Sequence, residues 1–273
     1  MHDATEISAR FVDMHCHLLP RLDDGAASLE ESCRMASLAV DDGIAGIVVT
    51  PHQMGIYRAI TAEKIRMATR QLRTDLSEQG IQLNLHPGAE VRIESDLFER
   101  IEDGTIMTIA DQRKFVLIEL PHDMYIPLPA ILERLGRMNI TAILAHPERN
   151  AGIHRDPSIL RDIIRRNCAL QITAGSLKGM FGHTSQRVAL DMIRKGLVHF
   201  VATDAHGADC RRPILSTAWD VVRRLAGDDF ARVVCHDNPR AIVTAGDMAI
   251  VTPKPRARKR TWFHRTISKS LDG

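Results

Sequence analysis

The stretch FVDMHCHLLP, residues 11–20, ends a short apolar run with two histidines one residue apart. Alternate residues on a strand share a face, so His15 and His17 can reach one point while Cys16 turns away. A metal pair, a reactive thiol and two ordinary polar residues at a strand end all fit these ten residues alone. The rest of the chain has to choose among them.

Read as a strand over 10–15, this run is the first of seven. The others are IAGIVVT (44–50), IQLNLHPGAEV (81–91), KFVLIEL (114–120), ITAILAH (140–146), CALQITA (168–174) and LVHFVAT (197–203). Helical patterns with readable ends separate them. Ser28-Leu-Glu-Glu31 forms a capping box opening a helix that Gly43 closes, and Thr61 opens another that runs to Gly80. Asp156 stands as an N-cap before Pro157 at the first helical position. Seven β-then-α units without repeat or low-complexity break predict an α/β fold whose parallel strands close, or nearly close, into a barrel. One domain is expected over 1–246, with a basic and flexible tail over 247–273.

The chemistry-bearing residues recur at the strand ends. His15 and His17 end the first strand, His52 comes just after the second, and Glu90 lies near the end of the third. Glu119 ends the fourth, His146 the fifth, and Asp204 with His206 the seventh. In a parallel barrel all these ends open on one face, so residues scattered in sequence converge. A lone histidine at a strand end is more often an ordinary hydrogen-bonded residue, and His86, His122, His154 and His199 read that way. Six strand ends out of seven carrying His, Asp or Glu call for a different explanation. Imidazole with carboxylate suits Zn, Mn or Fe, and carboxylate-rich sites lean toward Mn or Mg. The donors exceed what one ion needs, so the site reads as polynuclear.

The thiol explanation fails on spacing. Cysteine-dependent phosphatases carry an arginine six positions after the cysteine, and here those positions hold Leu22, Ala39, Ala174, Ser216 and Ala241. No Walker loop, nucleophile elbow or H-E-x-x-H occurs either. Water activated by metal is the leading mechanism that remains, and HCH reads as a metal pair around a bystander thiol.

With 44% hydrophobic and 26% charged residues in 273, the composition is that of a soluble globular protein. An aromatic content of 4% argues against a base-stacking nucleic-acid binder. The chain has neither a run of about 20 apolar residues for a membrane span nor the pattern of a secretory signal. Five scattered cysteines suit the reducing cytoplasm. The net charge of +2 conceals an uneven distribution, because Lys254, Arg256, Arg258, Lys259, Arg260, Arg265 and Lys269 crowd the end of the chain.

The segments DMHCHLLPRLDDG, TPH, GAE, IEL, AHPER, ITAGSLKGMFG and ATDAHG, in this order over residues 11–245, resemble the polymerase-and-histidinol-phosphatase (PHP) superfamily. More narrowly they are similar to its bacterial protein-tyrosine phosphatases of capsule and exopolysaccharide operons. The resemblance implies a distorted seven-stranded parallel (β/α) barrel with three divalent ions, Mn before Fe, Zn or Mg, at the strand C-termini. It assigns His15, His17, Glu90 and Asp204 to the first ion, and Glu90, Glu119 and His146 to the second. Asp24, His52 and His206 fall to the third, with neighbouring Asp23 able to replace Asp24. Arg149 and Arg211 resemble the family's phosphate-binding arginines, Arg212 being the alternative to the latter.

The implied activity is hydrolysis of phosphotyrosine on a membrane-associated bacterial tyrosine kinase that regulates polysaccharide export. A histidinol-phosphatase-like small-molecule phosphomonoesterase, a PHP nuclease and a non-catalytic metal-bound module docking on a kinase are the rival readings. The location expected is cytoplasmic, with peripheral contact at the inner membrane face through the basic tail and its Trp262 and Phe263.

Overall fold

The computed structural model describes residues 11–254. Among the described residues nine strands form: β1 (Phe11–Cys16), β2 (Ile44–Val49), β3 (His52–Gln53), β4 (Asn84–Pro87), β5 (Glu90–Arg92), β6 (Phe115–Glu119), β7 (Thr141–Ala145), β8 (Ala169–Thr173) and β9 (Phe200–Ala202). They lie in two sheets, β1-β2-β4 and β3-β5-β6-β7-β8-β9, and every pairing is parallel. A bridge from Cys16 to Ala205 brings the end of β9 back to β1 and closes the ring.

The count of nine differs from the seven expected, because the expected strand 81–91 is broken in two and a short strand, β3, forms beyond the end of the expected strand 44–50. Thr50-Pro51 separates β2 from β3, and proline has no N–H to give a ladder. Directly across, Gly88-Ala89 separates β4 from β5. A side chain on Gly88 would lie 2.6 Å from Val48 Cγ1, so the Val48 side chain fills the space that a larger residue here would need. Pairing stops at Val49 with Pro87 and resumes at His52 with Glu90, two residues skipped on each side.

Alternation along the strands divides the inner face by height. On β6 Phe115 and Leu117 join a buried apolar cluster while Glu119, two residues on, reaches the site. On β8 Ala169 joins that cluster and Gln171 reaches His15. Val12, Met14, Val48, Ile143, Phe200 and Ala202 belong to the same inner filling, with Ile242 and Val243 of helix Asn238–Val243 against it. A larger cluster, including Cys16, packs the outer face of the sheets against the helices.

Helix ends show the expected chemistry with small displacements. Ser28 accepts from Glu31 N at 3.2 Å, but Glu31 reaches back one residue further than a capping box does, to Ala27 N at 2.8 Å. Thr61 caps Ala62–Glu78, and Gly80 takes φ +72 beyond its end. Asp156 accepts from Ser158 N at 3.0 Å, holding the turn that leads into Ile159–Arg165.

Of the expected tail, residues 255–273 lie outside the described residues. Residues 247–254 pack on the body: Ala249 N donates to Asn238 Oδ1 at 2.7 Å, and Lys254 N donates to Ala226 O at 2.7 Å.

Candidate metal centre

His15 and His17 are fully buried, and their Nε2 atoms face each other at 3.2 Å. The opposite nitrogen of each ring is engaged: His15 Nδ1 with Gln171 Oε1 at 2.9 Å, and His17 Nδ1 with Asp23 Oδ2 at 2.6 Å. Both partners accept through oxygen, so each ring places its proton on Nδ1 and directs the Nε2 lone pair inward. Glu90 Oε2 lies 3.3 and 3.4 Å from those two Nε2 atoms, and Asp204 Oδ1 lies 3.4 and 3.6 Å away. Two lone pairs and two carboxylates around one point repel unless a cation sits among them.

The field makes the same demand. Burial alone would lower both imidazoles, yet His15 is raised by the charges of Glu90 and Asp204. His17 is raised to about 10 by the Asp23 hydrogen bond and charge and by Glu90, against the same burial penalty. Asp204 is held well below the carboxylate range, where His15, His146 and Arg211 outweigh its burial. Glu119 moves the other way, up to about 7, through burial and the adjacent negative charge of Glu90. Divalent cations satisfy all of these groups while leaving the histidines neutral.

A second orphaned atom lies nearby. His52 Nδ1 is buried without a hydrogen-bond partner, 3.1 Å from Glu90 Oε2 and 3.9 Å from Glu119 Oε2. His146 Nε2 reaches the same carboxylates, at 2.7 Å from Glu90 and 4.0 Å from Glu119. On the outer side Asp24 Oδ1 lies 3.5 Å from His52 Nε2 and 3.6 Å from His206 Nε2, with His17 completing the group. Three overlapping donor sets result, and the residues present suit a polynuclear metal site.

The adjacent aspartates separate by role. Asp23 holds His17 and accepts from His52 N and Gly25 N, whereas half-exposed Asp24 faces the donor set. Arg149 Nη1 donates to Asp204 Oδ2 at 2.6 Å, Arg211 Nη2 forms an ion pair with the same oxygen at 2.5 Å, and both guanidinium groups stand over the Phe181 ring. Arg212 instead lines an outer groove with Leu29 and Cys33. His146, Asp204 and Arg211 have φ of +30, +51 and +49, a left-handed backbone that non-glycine residues adopt at a cost.

Every strand-end residue singled out in the sequence reaches this cluster. Four further residues belong to it that sequence reading passed over or set aside: Gln171, Tyr57 stacked on His52, Phe181, and His122 against Arg149. His122 had the look of an ordinary strand-end histidine because it lies three residues beyond Glu119, on the loop rather than the strand.

Residues 11–244 match the family model for capsular polysaccharide synthesis proteins CpsB/CapC. Tyrosine-protein phosphatase YwqE of Bacillus subtilis is 33% identical over 252 residues, which cover 91% of this chain and 98% of YwqE. Tyrosine-protein phosphatase CpsB of Streptococcus pneumoniae is 30% identical over 238 residues, 85% of this chain and 98% of CpsB. A crystal structure from work on those two proteins, described as unique metal-dependent tyrosine phosphatases, superposes with a TM-score of 0.84 at 31% identity. It covers 90% of this chain and 100% of that chain. A lactonase from Listeria monocytogenes, 15% identical with a TM-score of 0.52 over 88% of this chain and 95% of its own, shares the fold alone.

Proposed function

The chain belongs to the CpsB/CapC family of capsular polysaccharide synthesis proteins, and from that membership we propose that it is a metal-dependent protein-tyrosine phosphatase of the PHP superfamily. Its substrate on this reading is phosphotyrosine on a bacterial tyrosine kinase that regulates capsule or exopolysaccharide biosynthesis. The observation that carries the reading is the pair of inward Nε2 atoms of His15 and His17, 3.2 Å apart with both Nδ1 atoms engaged elsewhere.

Three divalent ions are proposed, Mn first: one on His15, His17, Glu90 and Asp204, one on Glu90, Glu119 and His146, and one on Asp24, His52 and His206. Bound there, they supply Lewis acidity and bring the pKa of water toward neutrality, as hydrolysis at phosphorus requires. The side chains contribute orientation and charge. Arg149 and Arg211, anchored on one oxygen of Asp204, present their remaining N–H groups to phosphoryl oxygens. A tyrosine leaving group with a pKa of about 10 departs with little protonation, so the carboxylates are free to serve as ligands. Among the described residues no helix is long and apolar enough to cross a membrane.

Purified protein should carry divalent metal and hydrolyse both p-nitrophenyl phosphate and a phosphotyrosine peptide. EDTA should abolish both activities, and Mn, Fe, Zn or Mg added singly should identify the effective ion. Metal-free protein with activity intact in EDTA would overturn the reading.

A further inference from the structure

Arg149 is held on three sides. Nη1 donates to Asp204 Oδ2 at 2.6 Å, the face lies 4.1 Å from the Phe181 ring centroid, and Nη2 meets His122 Nε2 at 3.0 Å. Arginine carries five N–H donors and no acceptor, so His122 must present a lone pair at Nε2 and keep its proton on Nδ1. The ring also stands edge-on to His146 at 5.4 Å. Around it the two segments are joined by hydrogen bonds: Ala151 N donates to His122 O at 2.7 Å, and Asn150 Nδ2 donates to Pro121 O and Met124 O at 2.7 and 2.8 Å. The loop after β6 is thus fixed to the segment carrying His146 and Arg149, and one imidazole of that loop is aimed at the guanidinium.

We infer that His122 is a positioning residue that fixes the plane of the Arg149 guanidinium for phosphoryl oxygens. The inference rests on the phosphatase reading, in which Arg149 binds phosphate. With two of five N–H groups engaged by Asp204 and His122, three remain, and their directions are set before substrate arrives. Without the imidazole the guanidinium pivots about its contact with Asp204. Substrate must then immobilise it, a loss on the scale of freeing one long side chain, about tenfold. Lysine could not take this part, because only a planar fork can be gripped at one nitrogen and offered at another.

The test uses the metal-loaded full-length protein and its His122→Ala and His122→Gln variants, each also made in an Arg149→Ala background. The readouts are kcat and KM on a phosphotyrosine peptide, the affinity for inorganic phosphate by calorimetry, and the unfolding temperature. Glutamine can place an oxygen acceptor near the position of Nε2. His122→Ala should weaken both phosphate affinity and kcat/KM by about tenfold, His122→Gln should restore most of each, and neither should change phosphate affinity once Arg149 is alanine. Equal losses in both variants, or the same loss with and without Arg149, would assign His122 to structure alone and overturn the inference. An Arg149→Ala protein with unchanged phosphate affinity would instead remove the phosphate-binding role of Arg149, and the inference with it.

Discussion

Cys16 sits between two histidines that face the cluster, yet its own side chain belongs to the outer apolar packing and is fully buried. Burial, then the charges of Asp13, Asp204 and Asp23, push its thiol well above the ordinary range, so no thiolate forms near neutrality. Cys16→Ser should leave peptide hydrolysis within about threefold of wild type, and iodoacetamide should leave it untouched. Loss of turnover in a folded, metal-loaded serine variant would contradict this. His199 is a second residue with a defined job. Its Nδ1 accepts from Leu170 N at 3.2 Å, and burial lowers its pKa below the ordinary histidine value. A folded pKa below the unfolded value of about 6.5 makes its contribution complete above that pH, and acidification removes it as pH falls toward the folded value. His199→Asn keeps an acceptor and cannot titrate. In urea unfolding with EDTA present, wild type should lose stability relative to this variant between pH 7 and pH 5; parallel curves would contradict the assignment. His15 and His199 also mark what single positions disclose. A histidine closing an apolar strand could be read as a candidate donor, whereas the hydrogen-bond partners of His15 and His199 come from distant strands and leave no local trace.

At the scale of elements, the strands were legible because apolar β-branched runs end in polar residues, and their breaks were not. Pro51 follows one run and Gly88 lies within another, and only the pairing of β2 with β4 sets both interruptions at one level. The same breaks separate His52 and Glu90 from the straight strand ends and place them side by side. The loop after β1 shows how tightly one such element is built. Arg21 N donates to Ala26 O at 2.8 Å and Ala26 N to His17 O at 3.2 Å, folding Asp23 and Asp24 back over the site. At the turn, a side chain on Gly25 would stand 2.2 Å from His17 O and 2.5 Å from His17 Cβ, so backbone must move to admit it. Gly25→Ala should therefore displace Asp24 and the Asp23 support of His17 while leaving the barrel core intact. The expected outcome is less metal per chain and at least about tenfold lower activity, on the scale of lost outer-shell support. The cooperative unfolding transition should remain. Unchanged metal content and kinetics would show that the loop absorbs the methyl group without cost to the site.

For the molecule as a whole, candidate donors drawn from residues 15 to 206 make the site a product of barrel closure, and the two ends of the barrel differ in use. The donor sets lie where the strands end. The last described residues leave from the other end: Gly196, on the loop preceding β9, would place a side chain 2.7 Å from Pro253 Cδ, and Gly227, just past helix Ser216–Ala226, lies against Lys254. Beyond Lys254 the sequence carries Arg256, Arg258, Lys259, Arg260, Arg265 and Lys269, with Trp262 and Phe263 among them. Six basic residues near an anionic bilayer gain about 1 kcal/mol each, an attraction that salt weakens, and aromatic rings favour the interface. An enzyme attached from the end opposite its site keeps the site open to a phosphorylated segment, and concentration at the membrane raises encounter without altering chemistry. Removing residues 255–273 while keeping Lys254 on Ala226 O should leave p-nitrophenyl phosphate turnover unchanged. The same truncation should weaken co-sedimentation with phosphatidylserine vesicles at low salt, and the difference from full-length protein should shrink as salt rises. Equal sedimentation of the two proteins at low salt would show that the basic segment does not hold this enzyme at a membrane.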